Sequence, residues 1–195
     1  MTVKVKELEK GCVKLVAKIA GEHLTSLDTQ TGTIPAVYAA SMLSGNGKKA
    51  PVIKDYPYAL VEVGRVIPQG IMPLFDGFQK VNGIDKYLVE QDYSVPVSIR
   101  FYGNHVDSPE EAAQLFQQLA VSDWGQQFVE ALFGPNVAIA TVSDIVPTTS
   151  TGKDKFIDIR SMDINLNVKA ITEINSDLID TIDNLSAEDF NTDIL

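Results

Sequence analysis

The sequence is short of the residues on which much protein chemistry depends. It contains one cysteine, Cys12, and two histidines, His23 and His105. A single thiol closes no intrachain disulfide and builds no thiolate metal cluster, so the chain reads as one made for a reducing compartment. Two histidines without His-Glu-x-x-His spacing do not make a usual zinc site. Basic charge is also scarce: 16 Lys and Arg stand against 26 Asp and Glu, a formal net charge of −10. Binding that rests on neutralising phosphates needs clustered cations to release counterions, so nucleic acid is not expected as a direct partner. No stretch approaches the roughly 20 apolar residues of a membrane helix. The opening residues 1–7 mix acids and bases where a secretory signal would be apolar. The expectation is a soluble protein that starts in the cytoplasm and has no membrane partner.

Catalytic patterns are thin as well. His105 and Asp107 share the loop 103–107 after a long strand, where a carboxylate could orient an imidazole, yet no Gly-x-Ser-x-Gly elbow or reactive-cysteine setting accompanies them. His23 follows the first helix beside Glu22 and reads as a solvated or locally bonded side chain. The run Gly45-Asn46-Gly47-Lys48-Lys49 imitates a phosphate loop, but Met42 stands where the first glycine belongs and Lys49 where a magnesium-holding Ser or Thr belongs. Acids such as Asp180 and Asp183 lack the calcium loop that would group them. The reading is a protein without enzymatic activity, cofactor or metal, whose work is assembly.

At 195 residues and 45 % hydrophobic composition, the chain can bury one sizeable core. Val5, Leu8, Cys12, Leu15, Val16, Ile19 and Leu24 recur at helical spacing with Lys4, Lys10, Lys14 and Lys18 mostly opposite, predicting a first helix over about 4–24 that Gly11 weakens. Residues 25–56 read as loop with one short element within 34–43. A strand follows from Tyr58, with Gly64 a candidate bulge. Residues 68–85, broken by Gly70, Pro73, Gly77 and Gly83, read as a long loop.

Tyr87, Val89, Tyr93, Val95, Val97, Ile99 and Phe101 then alternate with polar residues, the mark of a long half-buried strand. Pro96 suggests an edge or a bulge there. Ser108-Pro109-Glu110-Glu111 opens a helix pair over about 108–133, with an inner stripe of Ala112, Leu115, Phe116 and Leu119, and Gly134-Pro135 closes the pair. Strands over 137–146 and 162–170, joined through a polar turn at 147–155, complete the sheet. The predicted architecture is a single α+β domain over 1–175, with an antiparallel or mixed sheet and helices packed on one face. An acidic tail over 176–195 follows it.

Three segments resemble the neck or tail-terminator proteins of contractile-tailed bacteriophages. They are Tyr56-Pro57-Tyr58-Ala59-Leu60-Val61-Glu62-Val63, the stretch from Tyr87 to Gly103 that ends Arg100-Phe101-Tyr102-Gly103, and Ile159-Arg160-Ser161-Met162-Asp163-Ile164-Asn165-Leu166-Asn167-Val168. The likeness covers about 56–175. It implies a virion subunit, assembled in the host cytoplasm, that forms a homo-oligomeric ring, a hexamer. Such a ring caps the tail tube, meets the sheath and the head connector, and lets DNA pass through its lumen.

Within that picture Tyr58, Phe75 and Phe78, with Asp177, Asp180 and Asp183 of the tail, are the candidate interface residues. The competing readings are another particle component (head-completion, tail-tube or baseplate protein) and a small-ligand-binding domain built around His105 and Asp107. Tyr87, Tyr93, Val95, Val97, Ile99 and Phe101 are expected to share one buried face. Phe101→Asp should therefore abolish the cooperative thermal transition seen by circular dichroism, and a folded variant would refute the strand register.

Overall fold

The computed structural model describes residues 4–29, 32–43, 53, 55–70, 74–81, 84–152 and 155–175; for 74–79, 81, 84–85, 151–152, 155 and 174–175 it covers the backbone alone. The chain divides into two compact units. The larger joins the described residues of 4–67 to those of 94–168, and the smaller joins the described residues of 68–93 to those of 169–175.

In chain order the elements are α1 (Val5–Ala20), a 3-10 turn (Gly21–His23), β1 (Ser26–Thr29), β2 (Gly32–Pro35), β3 (Val37–Ala39), α2 (Ala40–Leu43), β4 (Tyr58–Val63) and β5 (Ile67–Pro68). They continue with β6 (Leu74–Val81), β7 (Ile84–Gly103), α3 (Glu110–Ala120), α4 (Asp123–Phe133), β8 (Val137–Val142), β9 (Val146–Gly152) and β10 (Lys155–Asn175). Helices and a mixed sheet make this the expected α+β class.

The sheet of the larger unit runs β3-β4-β7-β10-β8, with β9 also paired to β10. β3 lies parallel to β4, while β4 with β7, and β8 and β9 with β10, are antiparallel. One face is apolar: Ala59 and Val61 on β4, Val95, Val97, Ile99 and Phe101 on β7, and Met162, Ile164, Leu166 and Val168 on β10 are all buried. α1 turns Leu8, Cys12, Leu15, Val16 and Ile19 into the core, and α3 adds Phe116, whose ring lies 6.1 Å from that of Phe101. Ala113 and Ala120 are buried on α3, while Leu115 and Leu119 sit half-buried.

The helix starts are set by local hydrogen bonds. Ser122 caps α4 by accepting the Gly125 N–H at 3.1 Å. Ser108 Oγ accepts the Glu110 N–H at 3.3 Å, while Glu111 turns away from the cap toward His23.

Several expectations are corrected. Residues 25–56 are less irregular than their glycines and prolines suggest: β1 and β2 form a hairpin from Ser26↔Pro35 to Thr29↔Gly32, and β3 and α2 follow. The long loop at 68–85 is in fact largely a hairpin. β6 pairs with β7 from Leu74↔Glu90 to Val81↔Ile84, and the register shifts between Phe75 and Gly77, so that glycine marks a bulge rather than a break. The stretch expected as a polar turn at 147–155 is mostly strand, because Val146–Gly152 pairs along Lys155–Ser161.

Pro96 is not on an edge strand, since β7 has β4 on one side and β10 on the other. It lies just beyond the last β4 pair, Val63↔Val97, where its carbonyl accepts the Gly64 N–H at 2.8 Å. A proline there leaves no ladder partner unmet. Gly64 follows β4 rather than bulging within it, and a side chain there would press on Pro96.

In the smaller unit two cross-strand ion pairs tie β7 to β10, Lys86–Glu173 at 2.5 Å and Lys169–Glu90 at 3.0 Å. Four residues forward on β7 match four back on β10, the spacing of an antiparallel pair with both bridges on one face. Of the expected buried set, Val95 to Phe101 is fully buried, whereas Tyr87 and Tyr93 are half-buried. Both tyrosines belong to the smaller unit, which has no helix among the described residues to cover a sheet face.

Gly11, the weak point in the first helix, has a packing reason. A Cβ at that position would stand 2.0 Å from Cε1 of Phe133. Gly11→Ala should gain about 1 kcal/mol of helix propensity and lose about 1–3 kcal/mol to overpacking. The expected outcome is a lower melting temperature in the native background and a higher one when Phe133→Ala removes the obstacle, both read by thermal unfolding.

Candidate assembly surface

Fixing the apolar face of the larger unit's sheet fixes its other face as well, because successive strand residues point to opposite sides. Tyr58, Leu60 and Glu62 of β4 lie opposite Tyr102, Arg100 and Ser98 of β7 on that second face. Tyr38 of β3 stands level with Leu60.

The tyrosines converge on Tyr58. Its ring stacks on Tyr102 at 4.8 Å between centroids and 9° between planes, packs against Tyr56 at 5.4 Å, and meets Tyr38 edge-on at 6.0 Å. All four rings are half-buried. Burial, then the neighbouring phenols, raises the Tyr58 hydroxyl far above the ordinary tyrosine range, and burial followed by the Asp55 carboxylate raises that of Tyr38. Both stay neutral and able to donate hydrogen bonds at any physiological pH. A cluster of flat apolar rings with polar tips is the composition enriched at protein–protein contacts.

Beside the cluster the face is polar and tied across strands. Arg100 Nη2 meets Glu62 Oε2 at 3.3 Å, Ser98 Oγ donates to Asp163 Oδ1 at 2.6 Å, and Ser94 Oγ donates to Asn165 Oδ1 at 2.7 Å.

The catalytic candidates do not converge. His105 is exposed and stacks on Phe156 at 3.8 Å and 16°. The Asp107 carboxylate instead accepts from Asn104 Nδ2 at 3.1 Å, and Asn104 Oδ1 accepts the N–H groups of Val106 and Asp107. That arrangement is a side-chain-stabilised turn, with the imidazole and the carboxylate engaged by different partners. His23 Nδ1 lies 3.2 Å from Glu111 Oε2. Cys12 is fully buried, and burial followed by Glu9 pushes its thiol up to about 12, so it is not a thiolate nucleophile at neutral pH.

A cleft of about 390 Å³ lies between α4 and β8, with Asp123, Gln127 and Glu130 on its wall. Both ends of Gln126 in that wall are already bonded to the Ile139 main chain. Among the described residues no cluster of His, Cys, Asp or Glu is placed to hold a metal ion, and no helix is long and apolar enough to cross a membrane.

Of the interface residues singled out from sequence, Tyr58 is the centre of the ring cluster. Phe75 and Phe78 lie on β6, where the backbone alone is described, and Asp177, Asp180 and Asp183 fall outside the described residues, as does the run 45–49. Sequence reasoning missed Tyr38, Tyr56 and Tyr102 as partners of Tyr58. For Tyr56 and Tyr102 the signal was available: an aromatic on each side of Pro57, and another at the end of the long strand, opposite Tyr58 in an antiparallel pair.

Comparison with known proteins gives one family. Residues 26–193 match the family model described as phage neck terminator protein. No curated protein matches the chain.

A structural ion cluster at the start of α3 is testable. Arg160 donates through Nε to Glu110 and through Nη1 to Asp158, tying β10 to the helix. The hydrogen bond from Arg160 is the main reason the Glu110 carboxyl is held below its ordinary value of 4.5. Its contribution to stability is therefore full above that pH and disappears as the pH falls through the lowered folded-state value. Urea unfolding should find Glu110→Gln less stable at neutral pH, by about 1 kcal/mol for a pair whose carboxylate is partly open to solvent, with the two proteins converging at acid pH.

Proposed function

We propose that this chain, which belongs to the phage neck terminator family, acts as one subunit of a sixfold ring at the head-proximal end of a contractile tail. The ring caps the tail tube and sheath and offers the head connector a surface to dock on, with assembly in the host cytoplasm. Family membership carries the coarser role, a structural component of the phage neck. The finer reading is supported by the tyrosine cluster of Tyr38, Tyr56, Tyr58 and Tyr102, on the sheet face that turns away from the apolar core.

A closed ring of identical copies needs contacts between unlike surfaces of neighbouring subunits. The cluster supplies one such surface. Its rings are held in place by one another before any partner arrives, so little side-chain freedom is lost on docking. The net charge of −10 suits a ring whose lumen passes DNA without gripping it. His105, Asp107 and Cys12, each occupied or buried as described, leave the proposal with no need of an active site.

Immunogold electron microscopy of native particles, with antibody raised against the chain, is expected to place label at the junction of head and tail. Label along the tail, at its distal end or nowhere on the particle would contradict the reading. Tyr58→Ala with Tyr102→Ala should leave circular dichroism unchanged yet weaken subunit association by about 2 kcal/mol or more, the usual scale for central aromatic contacts.

A further inference from the structure

The first helix carries a charge pattern that the larger unit does not use. Lys6, Lys10, Lys14 and Lys18 follow one another in steps of four along α1, and all are exposed. Like charges four apart on a helix repel by about 0.2–0.5 kcal/mol per pair, so the row works against the helix that bears it. The acids of α1 are engaged elsewhere, Glu7 with Lys4 at 3.2 Å and Glu9 with the hydroxyl and N–H of Ser41. Among the described residues none of the four lysines forms a salt bridge. Half-buried Val13 and Ala17 lie beside the row, and lysine stems add methylene surface. The face thus offers apolar contact and cationic charge together. It also precedes residue 26, where the family match begins.

The opposite pattern stands at the other end of the sequence. From Ile171 onward there is no Lys or Arg, while Asp177, Asp180, Asp183, Glu188, Asp189 and Asp193 are interleaved with Leu178, Ile182 and Leu185 at helical spacing. Lys6 to Lys18 span about 18 Å of helix axis, a distance that residues 177–189 can cover.

We propose that the acidic segment 177–193 of a neighbouring copy docks along the lysine row of α1. The inference rests on the ring reading, because a closed ring joins two different surfaces of identical copies, and the row and the segment are such a pair with opposite charge. Nucleic acid fits the row less well, since a chain of net charge −10 repels a polyphosphate.

The test uses the full chain, mixed in equal parts from natural-abundance and nitrogen-15-labelled preparations. A carbodiimide then condenses each lysine ammonium with a carboxylate in direct contact, forming an amide with loss of water. Mass spectrometry is expected to find Lys10, Lys14 or Lys18 joined to Asp177, Asp180 or Asp183 in mixed-isotope pairs. These pairs should vanish at 1 M salt, where the screening length is about 3 Å. Lys10→Glu with Lys14→Glu should remove them, and adding Asp180→Lys with Asp183→Lys in the same chain should restore cross-links in the reversed sense.

Pairs within one isotope class only, or α1 lysines joined to other carboxylates or to none, overturn the docking. Light scattering on the same samples separates the two ideas. Rings without these cross-links overturn the docking alone, whereas a chain that stays monomeric with and without tail tube overturns the ring reading and the docking with it.

Discussion

The larger unit depends on the register of one strand. β7 lies inside the sheet with β4 on one side and β10 on the other, and Val95, Val97, Ile99 and Phe101 on it are fully buried. Since the side-chain period of a strand is two residues, a slip of one would expel these four from the core and bury Ser94, Ser98, Arg100 and Tyr102 instead. Fully burying one large apolar side chain is worth about 1.5–3 kcal/mol, so the penalty for the wrong register exceeds anything that surface contacts supply. The position of Tyr102 against Tyr58 follows from that constraint. The aromatic surface is thus a by-product of the core, set by residues that point to the opposite face of the same strands.

Polar contacts refine what the core decides. The pairs Arg100–Glu62 and Lys169–Glu90 are each partly exposed, and exposed pairs contribute about 1 kcal/mol at most. Their effect is on geometry, since each joins neighbouring strands at a fixed offset. The Arg160 cluster differs because Asp158 is buried. A buried carboxylate without its cation would be costly, so Arg160 is committed to that place and unavailable for work outside the subunit.

How much of this was legible in the sequence followed from where the information lay. The amphipathic first helix, the helix pair, the alternating strand and its late partner were readable because each repeats its own period over many residues. Glycine and proline misled where their role depended on a distant neighbour. Gly11 is a helix defect in isolation and a seat for Phe133 in the fold, Gly77 is a loop breaker in isolation and the flank of a bulge in the β6–β7 pair, and Pro96 depends on β4 ending beside it. Tyr58 could be singled out as a candidate interface aromatic, but its grouping with Tyr38 required knowing that β3 lies parallel to β4. No local pattern encodes that pairing.

An assembly surface is harder to read than a core for a physical reason. Core residues satisfy one another within a single chain, so their periodicity records the partner as well as the residue. A surface residue that meets another molecule records half of an interaction. What remains visible is imbalance. Four half-buried tyrosine rings pack on one another on the sheet face away from the apolar core, a row of lysines has no described carboxylate to meet, and a stretch after Ile171 has acids and no bases. Each costs something in an isolated subunit, through exposed apolar area, like-charge repulsion or unpaired charge. Such costs persist most readily where another surface relieves them, which makes these imbalances the places to seek the neighbours of a neck subunit.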